Sequence, residues 1–449
     1  MSGATQVNEP DHDAWAEALR RHQLDAVQVT LYARQLAWDS PEIILPDSTS
    51  TASVIREIRA AKGAGLRVTL VLRIALEQAL ESNRHYWHGM IWPDHDDVDA
   101  WFAAYREFAL QGAALAAAED VDLLAVASEL NSLTSTVPVD VTPNLYAYFL
   151  DPQRTGPVRN RLVDCAASIP PEQLASDLRF VDGGAYATLE EYLRAQKAAD
   201  RSWTQHITGA SSAEAVDLAA LNRRRARYEA NWRALIAALR QVYPGPVSYA
   251  ANFDQAEQVG FWDALDAVGV NAYYPLSTLG LSEERLQEAL TSSWWDIADR
   301  LNRLAERNGG PARVLPVVIF ELGWTRKAGS TVRPFSYHRV EVLETATTGP
   351  DASPSLTCVH WATQPEDPFE RVEALRALDH VVEEGGFPTL RGFMLWKLST
   401  EPAHRAEEPF VVVLPGAGGQ GDDDEADRLF LETATRLAGR LRDSHGTAR

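Results

Sequence analysis

Two glutamates end apolar runs in this chain. Glu129 closes "LLAVASE" and Glu321 closes "VLPVVIFE". A carboxylate at the mouth of a buried run is costly unless a partner or a task keeps it there. Two carboxylates that face one another can carry out glycoside transfer. One protonates the departing oxygen; the other attacks the anomeric carbon or activates a water. Such a pair requires that one carboxyl keep its proton at neutral pH while the other is ionised. The positions of the two glutamates alone do not say which keeps the proton. The competing reading is structural: two glutamates salt-bridged to neighbours such as Arg73 at the rim of a barrel.

The elements that must position this pair alternate. Strand-like runs are "LDAVQVTLY" (24–32), "LRVTLVLRI" (66–74), "VDLLAVAS" (121–128), "PVSYAAN" (246–252), "LDAVGVNAYY" (265–274), "RVLPVVIFE" (313–321) and "LRGFMLWKL" (390–398). Helical periodicity lies between most of them, as in 51–65 and 96–118. Continuous Val/Ile/Leu runs mark strands buried on both faces, hence a parallel sheet. The alternation makes the chain α/β. With both glutamates at strand ends, the expected architecture is a (β/α)8 TIM barrel forming one domain over 1–449. Only seven good strands are visible. The first could only be "ATQVNE" (4–9), a poor strand sequence, so a short or atypical first strand is expected. A large insertion, 134–216, follows the fourth strand and is expected to shape the active-site mouth. A second irregular stretch covers 325–368, and 415–427 reads as a mobile acidic, glycine-rich loop.

The ordered segments "LLAVASEL", "YAANF", "FWDALDAVGVNAYYPL" and "PVVIFELGW" together resemble glycoside hydrolase family 113. "PDSTSTASVIREIRAAKGAGLRV" and "YWHGMIWPD…AWFAAYREFALQGAALA" upstream look like the same pattern. The resemblance spans about residues 13–131 and 228–400. It implies a retaining (β/α)8 glycosidase of the β-mannanase type. Glu129 would be the acid/base, with a raised pKa, and Glu321 the nucleophile, ionised. Asn252, Tyr273 and Trp396 would line the sugar subsite, with Tyr273 or Tyr274 orienting the nucleophile. Asn131, Trp87 and Arg73 are further candidates for substrate contact, and Arg73 would supply charge near the nucleophile. The chain departs from the family where Ser128 and Phe320 stand in place of threonines, and where the third strand ends in "LRIALEQ". These departures bear on the substrate more than on the reaction.

Charge and composition bound the alternatives. The formal charge of −21 over 449 residues repels a phosphate backbone, so no nucleic-acid partner is expected. The one dense basic stretch, "NRRRAR" (222–227), falls in a helical pattern and reads as a solvated face. No apolar run approaches the ~20 residues of a membrane span, and no leader is visible at the N-terminus, so a cytoplasmic location is expected. Cys165 and Cys358 have no metal-ligand spacing. His95 among acids in "PDHDD" reads as surface rather than as a metal site, and no metal or cofactor is called for. Gly416, Gly418 and Gly421 form a formal G-x-G-x-x-G, but acidic residues follow where a pyrophosphate would bind. The thirteen tryptophans read mostly as core, with some available as sugar platforms. The expected activity is hydrolysis of a soluble β-oligosaccharide or a glycosylated small molecule. Transfer of the sugar to another acceptor, and a barrel that only binds sugar, are the alternatives.

Overall fold

The strand least legible in the sequence is short. In the computed structural model, β1 is Ser2–Gln6, displaced toward the N-terminus from the expected 4–9. It is built of small residues because the seam there is tight. A Cβ on Gly3 would lie 1.8 Å from the Ala26 carbonyl oxygen, and one on Gly392 would lie 1.8 Å from that of Met1. Close approach, rather than β-propensity, selects this sequence. The structure describes residues 1–77, 79–139, 162–164, 189–209, 215–278, 280–310, 313–332, 334, 339–344, 357–362, 365–406, 408–415 and 424–446. Cys165 and the three glycines of the G-x-G-x-x-G lie outside them, as does most of 134–188.

Seven strands follow: β2 (Ala26–Gln35), β3 (Arg67–Leu76), β4 (Leu123–Ser128), β5 (Val247–Asn252), β6 (Val268–Asn271), β7 (Val317–Leu322) and β8 (Leu390–Ser399). Each pairs in parallel with the next, and β1 pairs with both β8 and β2, so the eight close into a TIM barrel. Two-residue strands, Ile43–Ile44 and Val412–Val413, extend β2 and β8.

The helices are α1 (His12–Arg21), α2 (Ser48–Gly63), α3 (Val98–Ala118), α4 (Leu218–Leu239), α5 (Glu283–Gly309), α6 (Pro368–Glu383) and α7 (Glu425–Gly446). Asp11, Asp47 and Asp217 cap α1, α2 and α4 by accepting a first-turn backbone N–H. Between β5 and β6 there are only the single turns Ala256–Gln258 and Trp262–Ala264.

Among the described residues, seven tryptophans are fully buried, in line with the core reading. Those on α3 and α4 grip the strand that leads to Glu129. Trp101 stacks on Tyr105 at 4.9 Å, and Trp232 meets Tyr105 edge-on at 5.5 Å. Tyr105 then donates to the Val126 carbonyl at 2.8 Å and Trp232 to the Leu133 carbonyl at 2.9 Å. Inside the barrel, Val71, Leu123, Ala125, Ala250, Val318 and Phe320 form a separate apolar plug. Phe320 therefore fills the barrel, whatever stands at that position in relatives.

The basic stretch on α4 is not a solvated face. Arg225 is buried and donates to the Val137 carbonyl. Arg224 lies 4.3 Å over the Trp92 ring, and Arg227 pairs with Asp99 at 2.8 Å. Of the arginines in the stretch, only Arg223 is exposed. The other three fasten α4 to the segments around it, which helical periodicity alone does not reveal.

The described part of the insertion includes the helix Leu189–Thr208, with Trp203 and Ile207 buried. It also includes Leu162–Asp164, which pairs with Thr357–Ala362. That strand in turn pairs with Arg339–Glu344. Among the described residues, no helix is long and apolar enough to cross a membrane.

Candidate active site

Both glutamate-bearing strands are bulged just before their carboxylates. On β4, Ala125 faces Ser248 and Ser128 faces Ala250, so Val126 and Ala127 together oppose Tyr249. On β7, Ile319 faces Val270 and Glu321 faces Asn271, leaving Phe320 as the extra residue. Strict alternation would send Phe320 and Glu321 to opposite faces of the sheet. The bulge breaks the alternation at this point. The bulge on β4 coincides with the carbonyl of Val126 that Tyr105 binds. Glu129 then takes a left-handed backbone, φ +52°, which is uncommon for a residue with a side chain. Its N–H donates to the Ala250 carbonyl at 2.9 Å.

Arg73 joins the two carboxylates. One guanidinium nitrogen, Nη2, lies 2.5 Å from Glu321 Oε1, 3.2 Å from Glu129 Oε2 and 2.9 Å from Ser128 Oγ. The two oxygens that share this nitrogen, Glu129 Oε2 and Glu321 Oε1, are therefore less than about 6 Å apart. The ion pairs anticipated by the structural reading are thus present, and they bring both glutamates to one buried point. Tyr273 donates to Glu321 Oε2 at 2.7 Å. His88 Nε2 lies 3.2 Å from Glu129 Oε2. Asn271, on β6, reaches Ser128 Oγ at 3.4 Å.

The protonation pattern reverses the expectation. Burial pushes the Glu321 carboxyl up to about 7, against the pull of Arg73. Burial acts the same way on Glu129, but the His88 hydrogen bond and the Arg73 charge outweigh it and hold that carboxyl at about 2. Burial lowers His88 below the ordinary imidazole value despite its bond to Glu129, so it acts as a neutral donor. The pair titrates as a unit and keeps one proton up to near neutrality. The expectation of a raised Glu129 failed because it lacked His88.

The remaining candidates divide. Trp396 stands by the pair, its ring centroid 5.6 Å from Arg73 Cζ and 4.3 Å from Lys397 Nζ. Its carbonyl sits so close to β7 that a Cβ on Gly323 would lie 2.1 Å from it. Asn131 follows Glu129 and donates to Asp254 at 3.4 Å. Asn252 ends β5, and its Oδ1 accepts the Phe253 N–H at 2.9 Å. Tyr274 packs edge-on to Phe253 at 5.5 Å. Trp87 packs edge-on to His88 at 5.1 Å, one residue from the side chain that touches Glu129.

Sequence reasoning missed His88, Asn271 and Tyr32. Tyr32 is the register partner of Arg73 across β2–β3, so it shares that face of the sheet, and it is 44% exposed. The segment "YWHGM" held the signal for His88, and "VGVNAYY" that for Asn271. A large cavity of about 960 Å³ lies elsewhere. It is lined by Arg67, Asp122, Pro246, Asp266, Pro316 and Arg391, at the starts of the strands. Barrel chemistry belongs at the other end.

Residues 216–348 match the family model of Glycoside Hydrolase Family 113. The chain resembles glycoside hydrolase family 113 in sequence and in fold. The match contains Asn252, Tyr273, Tyr274 and Glu321, and supports a glycoside hydrolase enzyme. A family 113 β-mannanase of Alicyclobacillus acidocaldarius, in complex with ManMIm, superposes on this family 113-like chain with a TM-score of 0.53. Identity is 16%, over 96% of this chain and 97% of that one. A family 113 β-1,4-mannanase superposes with a TM-score of 0.54 at 16% identity, over 97% of this chain and 98% of its own, and a complex of a family 113 β-1,4-mannanase gives the same score. At such identity the likeness establishes the TIM-barrel fold. No curated protein matches the family 113-like chain.

Proposed function

We propose that the protein is a retaining β-glycosidase, with Glu129 as acid/base and Glu321 as nucleophile. The observation that carries this reading is the single Arg73 nitrogen shared by the two carboxylates. Oxygens within about 6 Å of one another suit direct attack by Glu321 better than attack by a water placed between the pair. The attacking group has to be ionised. Arg73 at 2.5 Å and Tyr273 at 2.7 Å are two donors ready to hold the charge on Glu321. Before a sugar binds, the competing charge on Glu129 opposes it. A sugar seated between the pair parts Glu129 from Arg73, and the shared proton then passes to Glu129. From there it goes to the leaving oxygen as the Glu321–anomeric carbon bond forms. Water, deprotonated by Glu129, releases the sugar in the second step.

The substrate is a carbohydrate or glycoside with a β-linkage. Trp396 offers a flat face for a pyranose ring. The test is incubation with aryl β-glycosides and a fluorinated mechanism-based sugar, followed by intact-mass analysis and peptide mapping. An adduct on Glu321 is the expected result. An adduct on another residue, or turnover with inversion of anomeric configuration, would reject the reading. Products carrying the sugar on an added alcohol would move the assignment to a transglycosylase with the same glutamate pair.

A further inference from the structure

The loops after β3 and β7 leave the barrel from opposite points in the ring of eight strands. They are nevertheless joined. In the loop after β7, Thr357–Ala362 pairs in parallel with Leu162–Asp164 of the insertion after β4, Thr357 facing Leu162 and Val359 facing Asp164. That short strand contacts the insertion helix Leu189–Thr208. The helix is held by the loop after β3: Trp203 donates from its indole to the Met90 carbonyl at 2.8 Å, and Tyr86 donates to the Ala199 carbonyl at 3.2 Å. His206 also meets the Trp38 ring, after β2, at 4.8 Å and pairs with Asp94 at 3.2 Å. A continuous run of paired and packed elements thus connects the β2–β3 rim to the β7 rim. It does so at the end of the barrel where Glu129 and Glu321 emerge.

Resting on the glycosidase reading above, we infer that this bridge bars a polysaccharide from running through the cleft, so that the enzyme acts on the terminal, non-reducing residue of a short β-glycoside. An interior unit of a polymer needs chain exits on both sides of the cleaved bond. A terminal unit needs an exit only on the leaving-group side. Fastening two opposite rims removes one exit.

The experiment uses the full chain. Aryl β-glycosides first identify the accepted sugar. A β-1,4-linked hexasaccharide of that sugar, isotopically labelled at its reducing end, is then followed by mass spectrometry at low conversion. The expected first products are unlabelled monosaccharide and labelled pentasaccharide, with no fall in viscosity of the matching polysaccharide. Early di- to tetrasaccharides with a viscosity fall would overturn the inference while leaving the glycosidase reading intact. An absence of turnover on every aryl glycoside would overturn the glycosidase reading, and this inference with it. Trp203→Ala, which frees the helix from the loop after β3, is expected to raise the share of interior cleavage several-fold. Tyr86→Phe, which removes one hydroxyl, is the milder variant should Trp203→Ala fail to fold. An unchanged product ratio in a folded Trp203→Ala protein would also count against the bridge.

Discussion

The ends of β4 and β7 do the same job by different means. Each carries a bulge and then a glutamate, and each glutamate reaches Arg73. Glu321 is otherwise supported by the sheet and what directly follows it: Tyr273 comes two residues after β6, and Gly323 lets Trp396 approach from β8. Glu129 depends on a loop. His88 lies in the connection after β3, and that connection is braced by the insertion helix through Met90 and Ala199. Glu129 also sits on a left-handed backbone, which its surroundings must hold in place. The proposed nucleophile is thus set on the strands of the barrel. The proposed acid/base is set where neighbouring loops can adjust it.

The sharpest test of this contrast is removal of each carboxylate. Glu321→Gln is expected to abolish turnover of every glycoside, by more than about 1,000-fold in kcat/KM. Glu129→Gln should cost about as much on poor leaving groups but far less on activated aryl glycosides, which need no proton. Equal losses on both classes of substrate would erase the distinction between the roles. Next in size is Tyr273→Phe, which takes one donor from the Glu321 charge. About 10–100-fold in kcat is expected, in line with a hydrogen bond to a charged group, with KM little changed.

His88→Gln comes third and probes the other side. Loss of the imidazole donor should let Glu129 rise from about 2, moving the acid limb of the pH–rate profile upward. The alkaline limb, set by the proton lost at about 7, should move much less. A profile that falls uniformly without a shift would make His88 only a packing residue. The smallest effect expected is on stability. Glu321 is raised, so between its unfolded value near ~4.3 and about 7 the folded chain holds a proton that the unfolded chain releases. Its contribution is greatest below ~4.3 and is lost as pH rises to 7. Glu129 is depressed, so its contribution is present above ~4.3 and lost as pH falls toward 2. Thermal melts should show Glu321→Gln gaining Tm relative to wild type on going from pH 5 to pH 8.

Much of the scaffold was readable because parallel strands announce themselves as apolar runs. Seven of the eight were located that way, and with them both glutamates, Arg73 and Tyr273. β1 was misplaced because its sequence answers to steric closeness at Gly3 and Gly392, which no propensity scale encodes. His88 was passed over for Trp87 because loop side chains carry no periodicity to say which one turns inward. The burial of Arg225 was invisible for a related reason: its partner, the Val137 carbonyl, belongs to another segment and becomes a neighbour only on folding. The proton order failed with His88, since a pKa is a property of the assembled neighbours.

The shared nitrogen of Arg73 also bears on inhibition. A fixed cation already lies between the two carboxylates. A sugar mimic with a protonated ring nitrogen competes for the same attraction, and it gains most when the pair has lost its last proton. Its affinity should therefore strengthen as pH rises through about 7, the range in which turnover declines. The pH of tightest inhibition and the pH of fastest catalysis should part company in this protein.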